Sequence, residues 1–264
     1  MEQTLAGRTA LITCSTSGIG HGIALLYAQA GAKVMLNGFG KPEEIARARA
    51  EIGAAMGVAE APYSAADLSK PEAVRQMVKD AEAALGSVDI LVNNAGIQFV
   101  APIEEFPDDK FDAIIAINFA SNFHAIKAAL PGMKARNWGR IINIASAHGL
   151  VASPQKVAYV SAKHAVVGMT KTVALEVAKL PITCNAICPG FVRTPLAEAQ
   201  VGPLAKAHNV SEQAALEDFL LEKQPSKRWI EVDEVARMAL YLAGPGSGGV
   251  NGSALSIDGG WLAA

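Results

Sequence analysis

Cysteine, charge and aromatic side chains are all scarce in this sequence, and each scarcity closes off a class of function. The three cysteines, Cys14, Cys184 and Cys188, are odd in number and include no CxxC pair. A disulfide scaffold and a zinc ribbon are thereby excluded, free thiols in a reducing compartment are expected, and no metal site is expected. Cys184 and Cys188 fall in an apolar run and read as core residues. Charged residues make up 18% of the chain, with a net charge of -2, a pI near 6.2 and no long basic run. That leaves no electrostatic footprint for nucleic acid or an anionic membrane surface. No apolar run reaches the roughly 18 residues needed to span a bilayer, and the polar start MEQTLAGR lacks a signal-peptide pattern. The expectation is a soluble, cytoplasmic chain whose partners are small molecules and like subunits.

What is present is apolar alternation. The hydrophobic fraction of 51% and mean hydropathy of +0.24 suit a sheet buried on both faces. There is no linker, internal repeat or low-complexity tract, so residues 1–264 are expected to form one domain. Strands are expected at 9–13, 33–37, 58–64, 89–92, 140–145, 182–188 and 254–257. Helices are expected after Gly20 to about 30, then over 43–56, 71–85, 110–136 (interrupted at Pro131-Gly132), 154–179 (opened by Pro154) and 232–242. This alternation predicts an α/β fold: a doubly wound Rossmann sheet of seven parallel strands with helices on both faces. The stretch 191–224 has no strand pattern and reads as a helical insertion over the carboxyl ends of the strands, a candidate substrate lid.

Two stretches carry chemistry. The first strand runs into CSTSGIG at 14–20 and then a helix. A small-residue turn entering a helix presents N–H groups and a positive dipole end to a pyrophosphate. The second strand ends in Asn37-Gly38-Phe39-Gly40, without the acidic residue that often binds the ribose hydroxyls. Asn37 can hydrogen-bond a ribose and Phe39 can flank an adenine, or the stretch is simply a turn. Asp67 reads as an ordinary loop acid, and Asn118, alone in an apolar context, as the holder of a kink or a water. The second stretch runs from Ser146 to Lys163. Tyr159 and Lys163 are four residues apart, on one face of a helix. A tyrosine has a pKa near 10 and is a poor base unless a cation favours its phenolate, which Lys163 can supply. YxxxK recurs by chance on many helices, but Ser146 at the end of a strand makes the constellation more specific.

Together these residues resemble the short-chain dehydrogenase/reductase family over the whole chain. TCSTSGIG, NNAG at 93–96, Ser146 with YVSAK at 159–163, and PGFVRTP at 189–195 carry the resemblance. It implies Asn118, Ser146, Tyr159 and Lys163 as a catalytic tetrad. It also implies a cofactor site drawn from Thr13, Ser15, Thr16, Ser17, Gly18, Ile19, Phe39, Asp67, Leu68, Asn94, Ala95, Gly96, Tyr159, Lys163, Pro189, Gly190, Val192 and Thr194. The cofactor implied is NAD, with NADP less favoured because Lys41 is the only cation near the second strand. A homotetramer built partly on the helices at 110–136 and 154–179 is likewise implied.

Within the family, LNGFG, NNAGIQ, INIASAHGLVAS, ICPGFVRTPL and EKQPS resemble bacterial D-3-hydroxybutyrate dehydrogenases. This implies a carboxylate grip by Gln98, His148, Lys156 and Gln200, of which Lys156 otherwise reads as a surface residue and His148 as a loop histidine. Ser146 and Tyr159 would hold the hydroxyl end, with Phe191 and Trp261 as apolar wall. The implied reaction interconverts a short D-3-hydroxy acid and its 3-oxo acid, with Tyr159 as base and Ser146 on the reacting oxygen. Lys163 would tune Tyr159 and hold the ribose, and Asn118 would place a relay water. The rivals are a 3-oxoacyl-thioester reductase and a dinucleotide-binding regulator without turnover. Two departures stand out: Cys14 replaces the first turn glycine, and Phe191 stands where the relatives usually carry tryptophan.

Overall fold

The computed structural model describes residues 3–264. Seven strands pair in parallel: β1 (Thr9–Ile12), β2 (Lys33–Asn37), β3 (Tyr63–Ser64), β4 (Ile90–Asn93), β5 (Gly139–Ile144), β6 (Ile182–Pro189) and β7 (Ala254–Ile257). Their order in the sheet is 3-2-1-4-5-6-7. The main helices are α1 (Gly18–Gln29), α2 (Pro42–Met56), α3 (Pro71–Leu85), α4 (Asp108–Ile115), α5 (Ser121–Ala135) and α6 (Val157–Val177). Three short ones, α7 (Pro195–Glu198), α8 (Val201–His208) and α9 (Glu212–Ala214), precede α10 (Val232–Ala243). This is the doubly wound Rossmann architecture the alternation predicts.

Each face of the sheet owns a core. α1, α2 and α10 cover one face, and α3, α5 and α6 the other. α3 shows why such segments fold as they do. Pro71 occupies its first turn, and Val74, Met77, Val78 and Ala81 recur at helical spacing and are all fully buried. Burying Val74, Met77 and Val78 contributes on the order of 5 kcal/mol before conformational entropy is charged against it.

Strand order reverses between β1 and β4, so the loops leaving these strands part and open a crevice at the carboxyl end of the sheet. β5 ends at Ile144, two residues before Ser146, and β6 ends at Pro189, beside the same crevice.

Four local expectations need correction. Pro131 does not interrupt α5, because it sits on the exposed side, where the carbonyl it leaves unpaired meets water. The break falls instead at Ala116–Ala120, a π-helical turn around Asn118. Pro154 does not open α6. It lies in a turn with Gln155 at φ 64°, and α6 begins at Val157. β3 retains only Tyr63 and Ser64, because it is an edge strand paired to β2 alone. Finally, Asp108–Ala135 is helical throughout and long and apolar enough to cross a membrane by composition, contrary to expectation. It packs against α3, β4, β5 and α6 and buries Asn118, Ser121 and Asn122, the pattern of a core helix.

Candidate active site

The turn after β1 is a network of short polar groups. Thr13 Oγ1 accepts from the backbone N–H groups of Asn94 at 2.9 Å and Ala95 at 3.1 Å. Asn94 Nδ2 donates back to the carbonyls of Thr13 and Cys14. Thr13 and Asn94 therefore staple the β1 and β4 loops together. Gly20 is required where α1 crosses this staple: a Cβ there would lie 2.4 Å from the Cys14 carbonyl oxygen. Ser15 turns inward to Ile12 and Asn37, and Thr16 donates to the Phe39 carbonyl. Asn37 corrects the ribose expectation. It is buried, accepts from the Cys14 N–H, and donates to the Ser64 and Ala66 carbonyls, so neither arm is left for a ligand.

The N-terminus of α1 stays free. Ser17 makes no capping hydrogen bond with its side chain, and no acidic residue stands in the first turn. These unclaimed N–H groups, with small residues around them, fit a dinucleotide pyrophosphate. Phe39 is exposed at the end of β2. Asp67 Oδ1 accepts from Ser69 N–H and Oγ, which holds its carboxyl below the usual range, and Leu68 beside it is buried.

A cavity of about 570 Å³ opens between these turns and β5, β6 and α6. It is lined on the turn side by Ile19, Asn94 and Gly96, and on the β6 side by Pro189, Gly190, Val192 and Thr194. Thr194 Oγ1 caps α7 through the Ala197 N–H. Ser146, Tyr159 and Lys163 meet on its floor. Burial raises the Tyr159 phenol above its usual 10, and the facing Ser146 hydroxyl lowers it in part. Ser146 Oγ also accepts from the His148 N–H. Lys163 is buried, which brings its ammonium down to about 8; it donates to the Ile144 carbonyl at 2.8 Å and lies 5.6 Å from the Tyr159 ring centroid. Asn118 does not line the cavity. Its amide exchanges two hydrogen bonds with the backbone of Ile97, at 2.8 and 2.9 Å, and so fixes the bend after β4 from which Gln98 reaches the cavity.

The other end of the cavity gathers Gln98, His148, Lys156, Phe191, Gln200 and Trp261. His148 is buried, edge-on to Tyr159 at 6.0 Å and to Trp261 at 5.0 Å. Burial, reinforced by Lys156 and Lys223, pulls its pKa down to about 4, so it is neutral near pH 7. Phe191 stacks on Trp261 at 5.8 Å, and Lys156 Nζ lies 6.0 Å from the Phe191 ring. Burial and Lys223 lower the Lys156 ammonium.

Residues 14–262 match a family model described as enoyl-(acyl carrier protein) reductase, a branch of the short-chain dehydrogenases. The chain is 50% identical to the D-beta-hydroxybutyrate dehydrogenase of Rhizobium meliloti (strain 1021) over 97% of its own length and 99% of that protein. It is likewise 50% identical to the D-beta-hydroxybutyrate dehydrogenase of Cupriavidus necator, over 98% and 99%. The crystal structure of levodione reductase superposes with a TM-score of 0.89 at 31% identity, covering 98% of this chain and 99% of that one. The chain belongs to the short-chain dehydrogenase/reductase family.

As a short-chain dehydrogenase/reductase it is an oxidoreductase acting on a small molecule with a nicotinamide dinucleotide. Of the residues expected from its sequence, the structure collects Ser146, Tyr159, Lys163 and all of the proposed carboxylate set on one cavity. Thr13, Ser15, Thr16, Ser17, Gly18, Phe39, Asp67, Leu68 and Ala95 do not line it and fall in or at the end of the turns that follow β1 to β4. Sequence reasoning missed three groups. Gln224, fully buried, holds the Phe191 N–H at 3.1 Å and the Arg228 carbonyl, which fixes the loop after β6. Ile97, Phe99, Val100 and Leu196 form an exposed apolar rim. Ser153 joins His148 to Lys223. The stretches NNAGIQ, INIASAHGLVAS, ICPGFVRTPL and EKQPS contain Ile97, Ser153, Leu196 and Gln224, yet none of them hints at these contacts or at a buried glutamine.

Proposed function

We propose that this oxidoreductase interconverts D-3-hydroxybutyrate and acetoacetate with NAD. One observation carries the reading: a hydroxyl end made of Ser146 and Tyr159 adjoins a carboxylate end made of Gln98, His148, Lys156 and Gln200 on the same cavity. The 6.0 Å between the Tyr159 and His148 rings suits a carboxylate separated by one carbon from the carbinol carbon. Lys156 supplies the charge, and neutral His148 and the two amides supply directional donors.

Tyr159 takes the hydroxyl proton as general base, and Ser146 donates to the reacting oxygen. Lys163 favours the phenolate and reaches the cofactor ribose. Asn118 supports the site through Ile97, with a relay water beside it. Bound nicotinamide dinucleotide supplies the hydride acceptor. NAD is favoured over NADP because Lys41, the cation nearest the end of β2, lies 4.0 Å from the Glu44 carboxylate. Residues 191–224 act as a lid, and the whole chain acts as one catalytic domain. The apolar hollow between α5 and α6, lined by Phe123, Ile126, Leu130 and Met169, supports a homotetramer, and the composition supports a cytoplasmic location.

The test is the absorbance of reduced nicotinamide with D- and L-3-hydroxybutyrate, the D-isomer repeated with NADP. Turnover confined to the D-isomer and NAD is expected. Tyr159→Phe is expected to lower kcat by at least about a thousandfold while NADH still binds; comparable turnover in that variant overturns the assignment.

The exposed rim of Phe99, Val100 and Leu196 favours one second reading, a 3-oxoacyl-thioester reductase admitting a longer chain. Lys156→Ala separates the two. A free acid loses its charge partner and kcat/KM falls about a hundredfold, whereas a thioester has no carboxylate there to lose.

A further inference from the structure

Behind the carboxylate end, outside the cavity lining, Lys223 reaches from the end of the 191–224 segment and donates to Ser153 Oγ at 3.2 Å. Ser153, in the loop before α6, also lies 2.9 Å from His148 Nε2. Neither Lys223 nor Lys156 forms an ion pair among the described residues. A hydroxyl has one proton and two lone pairs. With one lone pair turned to the Lys223 ammonium, Ser153 keeps a proton and a second lone pair with which to bond Nε2, so one hydroxyl ties the Lys223 ammonium to the His148 ring. The backbone supports this reach, because the adjacent Gln224 is fully buried and pins this end of the segment to the β6 loop.

We propose that Lys223 is a positioning residue for the carboxylate end of the site, holding the His148 ring in place through Ser153. The proposal rests on the reading of the cavity as a carboxylate site. It also gives the segment a latch: the same contact ties 191–224 to the loop that presents His148 and Lys156. The groups acting electrostatically on His148 are Lys156, Lys223 and His164, and the one acting on Lys156 is Lys223; none is a carboxylate. An incoming carboxylate therefore meets two like charges, Lys156 and Lys223, that no carboxylate pairs among the described residues. Because Lys223 depresses the Lys156 ammonium, removing it moves Lys156 back toward its ordinary value, so the carboxylate grip persists to higher pH.

The experiment compares wild type with Lys223→Met, Lys223→Arg and Ser153→Ala, all checked for unchanged melting. KM and kcat for D-3-hydroxybutyrate are followed from neutral to alkaline pH. In parallel, sodium acetate, the bare carboxylate, is titrated into each NADH complex by tryptophan fluorescence. Lys223→Met is expected to raise KM and the acetate Kd about tenfold, to leave kcat within about threefold, and to shift the alkaline rise of KM to higher pH. Lys223→Arg is expected to restore both constants, and Ser153→Ala to raise KM without moving the alkaline limb. A merely structural contact does not move that limb. Wild-type constants and an unmoved limb in Lys223→Met overturn the proposal. Acetate binding that depends on Lys223, without turnover of 3-hydroxybutyrate by wild type, overturns the substrate assignment alone. No acetate binding by wild type overturns both.

Discussion

Cys14 sits at φ 49°, a left-handed backbone conformation that favours glycine. A side chain there costs about 1 to 2 kcal/mol, and glycine gives back roughly 0.5 to 1 kcal/mol of that through its freer unfolded chain. Cys14→Gly is therefore expected to raise Tm slightly, by about 1 to 2 °C, and to keep or tighten NADH binding, read by a thermal melt and a fluorescence titration. A lower Tm would show that the thiol makes a contact worth more than the strain. The strain was legible because a short motif specifies backbone geometry as well as chemistry. Asn37 was not legible in the same way. Its position at the end of β2 suggests a ribose, yet its amide is the partner of the Cys14 N–H and the carbonyls of Ser64 and Ala66, at and just after the end of β3, and such pairing is decided by tertiary contact. His148 and Lys156 also lacked a local signal. Each is an ordinary loop residue until β5, α6 and the 191–224 segment bring them together.

Elements with strong periodicity and firm punctuation were readable almost to the residue: α3 runs from Pro71 to Leu85, and β7 from Ala254 to Ile257. Proline misled wherever exposure decided the outcome. Pro154 lies in a turn ahead of α6, while Pro131 rides inside α5 on its solvent side. A proline in a helix interior still loses one hydrogen bond and crowds the preceding turn. Pro131→Ala is accordingly expected to stabilise the protein by about 1 to 3 kcal/mol, seen as a higher urea midpoint at unchanged m-value. Loss of stability would mean that the Pro131 ring makes contacts worth more than the hydrogen bond it forfeits. The π-helical turn around Asn118 has no sequence signature beyond a polar residue in an apolar run. It forms because Asn118 is bound on both amide arms by the loop after β4, a contact 21 residues away.

At the scale of the molecule, a site built from buried cations makes stability depend on pH. His148 has a pKa of about 4 in the fold against the ordinary 6.5. Between those values the unfolded chain takes up a proton that the native state refuses, so native stability is complete above 6.5 and is lost as pH falls toward 4. Going from pH 7 to pH 5 costs about 2 kcal/mol from this group alone. The Glu234 carboxyl, held low by Arg228, and Asp67, held low by Ser69, add their losses only below the ordinary carboxylate range, so they do not obscure this window. Lys163, brought down to about 8, acts on the other side: stability rises from there toward 10.5, and its protonation state changes little between pH 7 and 5. Urea unfolding of the cofactor-free protein at pH 7 and at pH 5 checks the sum. Wild type is expected to lose about 2 kcal/mol more than His148→Asn, in which the titrating ring is gone while an amide can still meet Ser153. Equal losses in the two proteins would place the acid sensitivity elsewhere and mean that His148 is solvated in the native state, which would also remove it as the neutral donor that the carboxylate end requires.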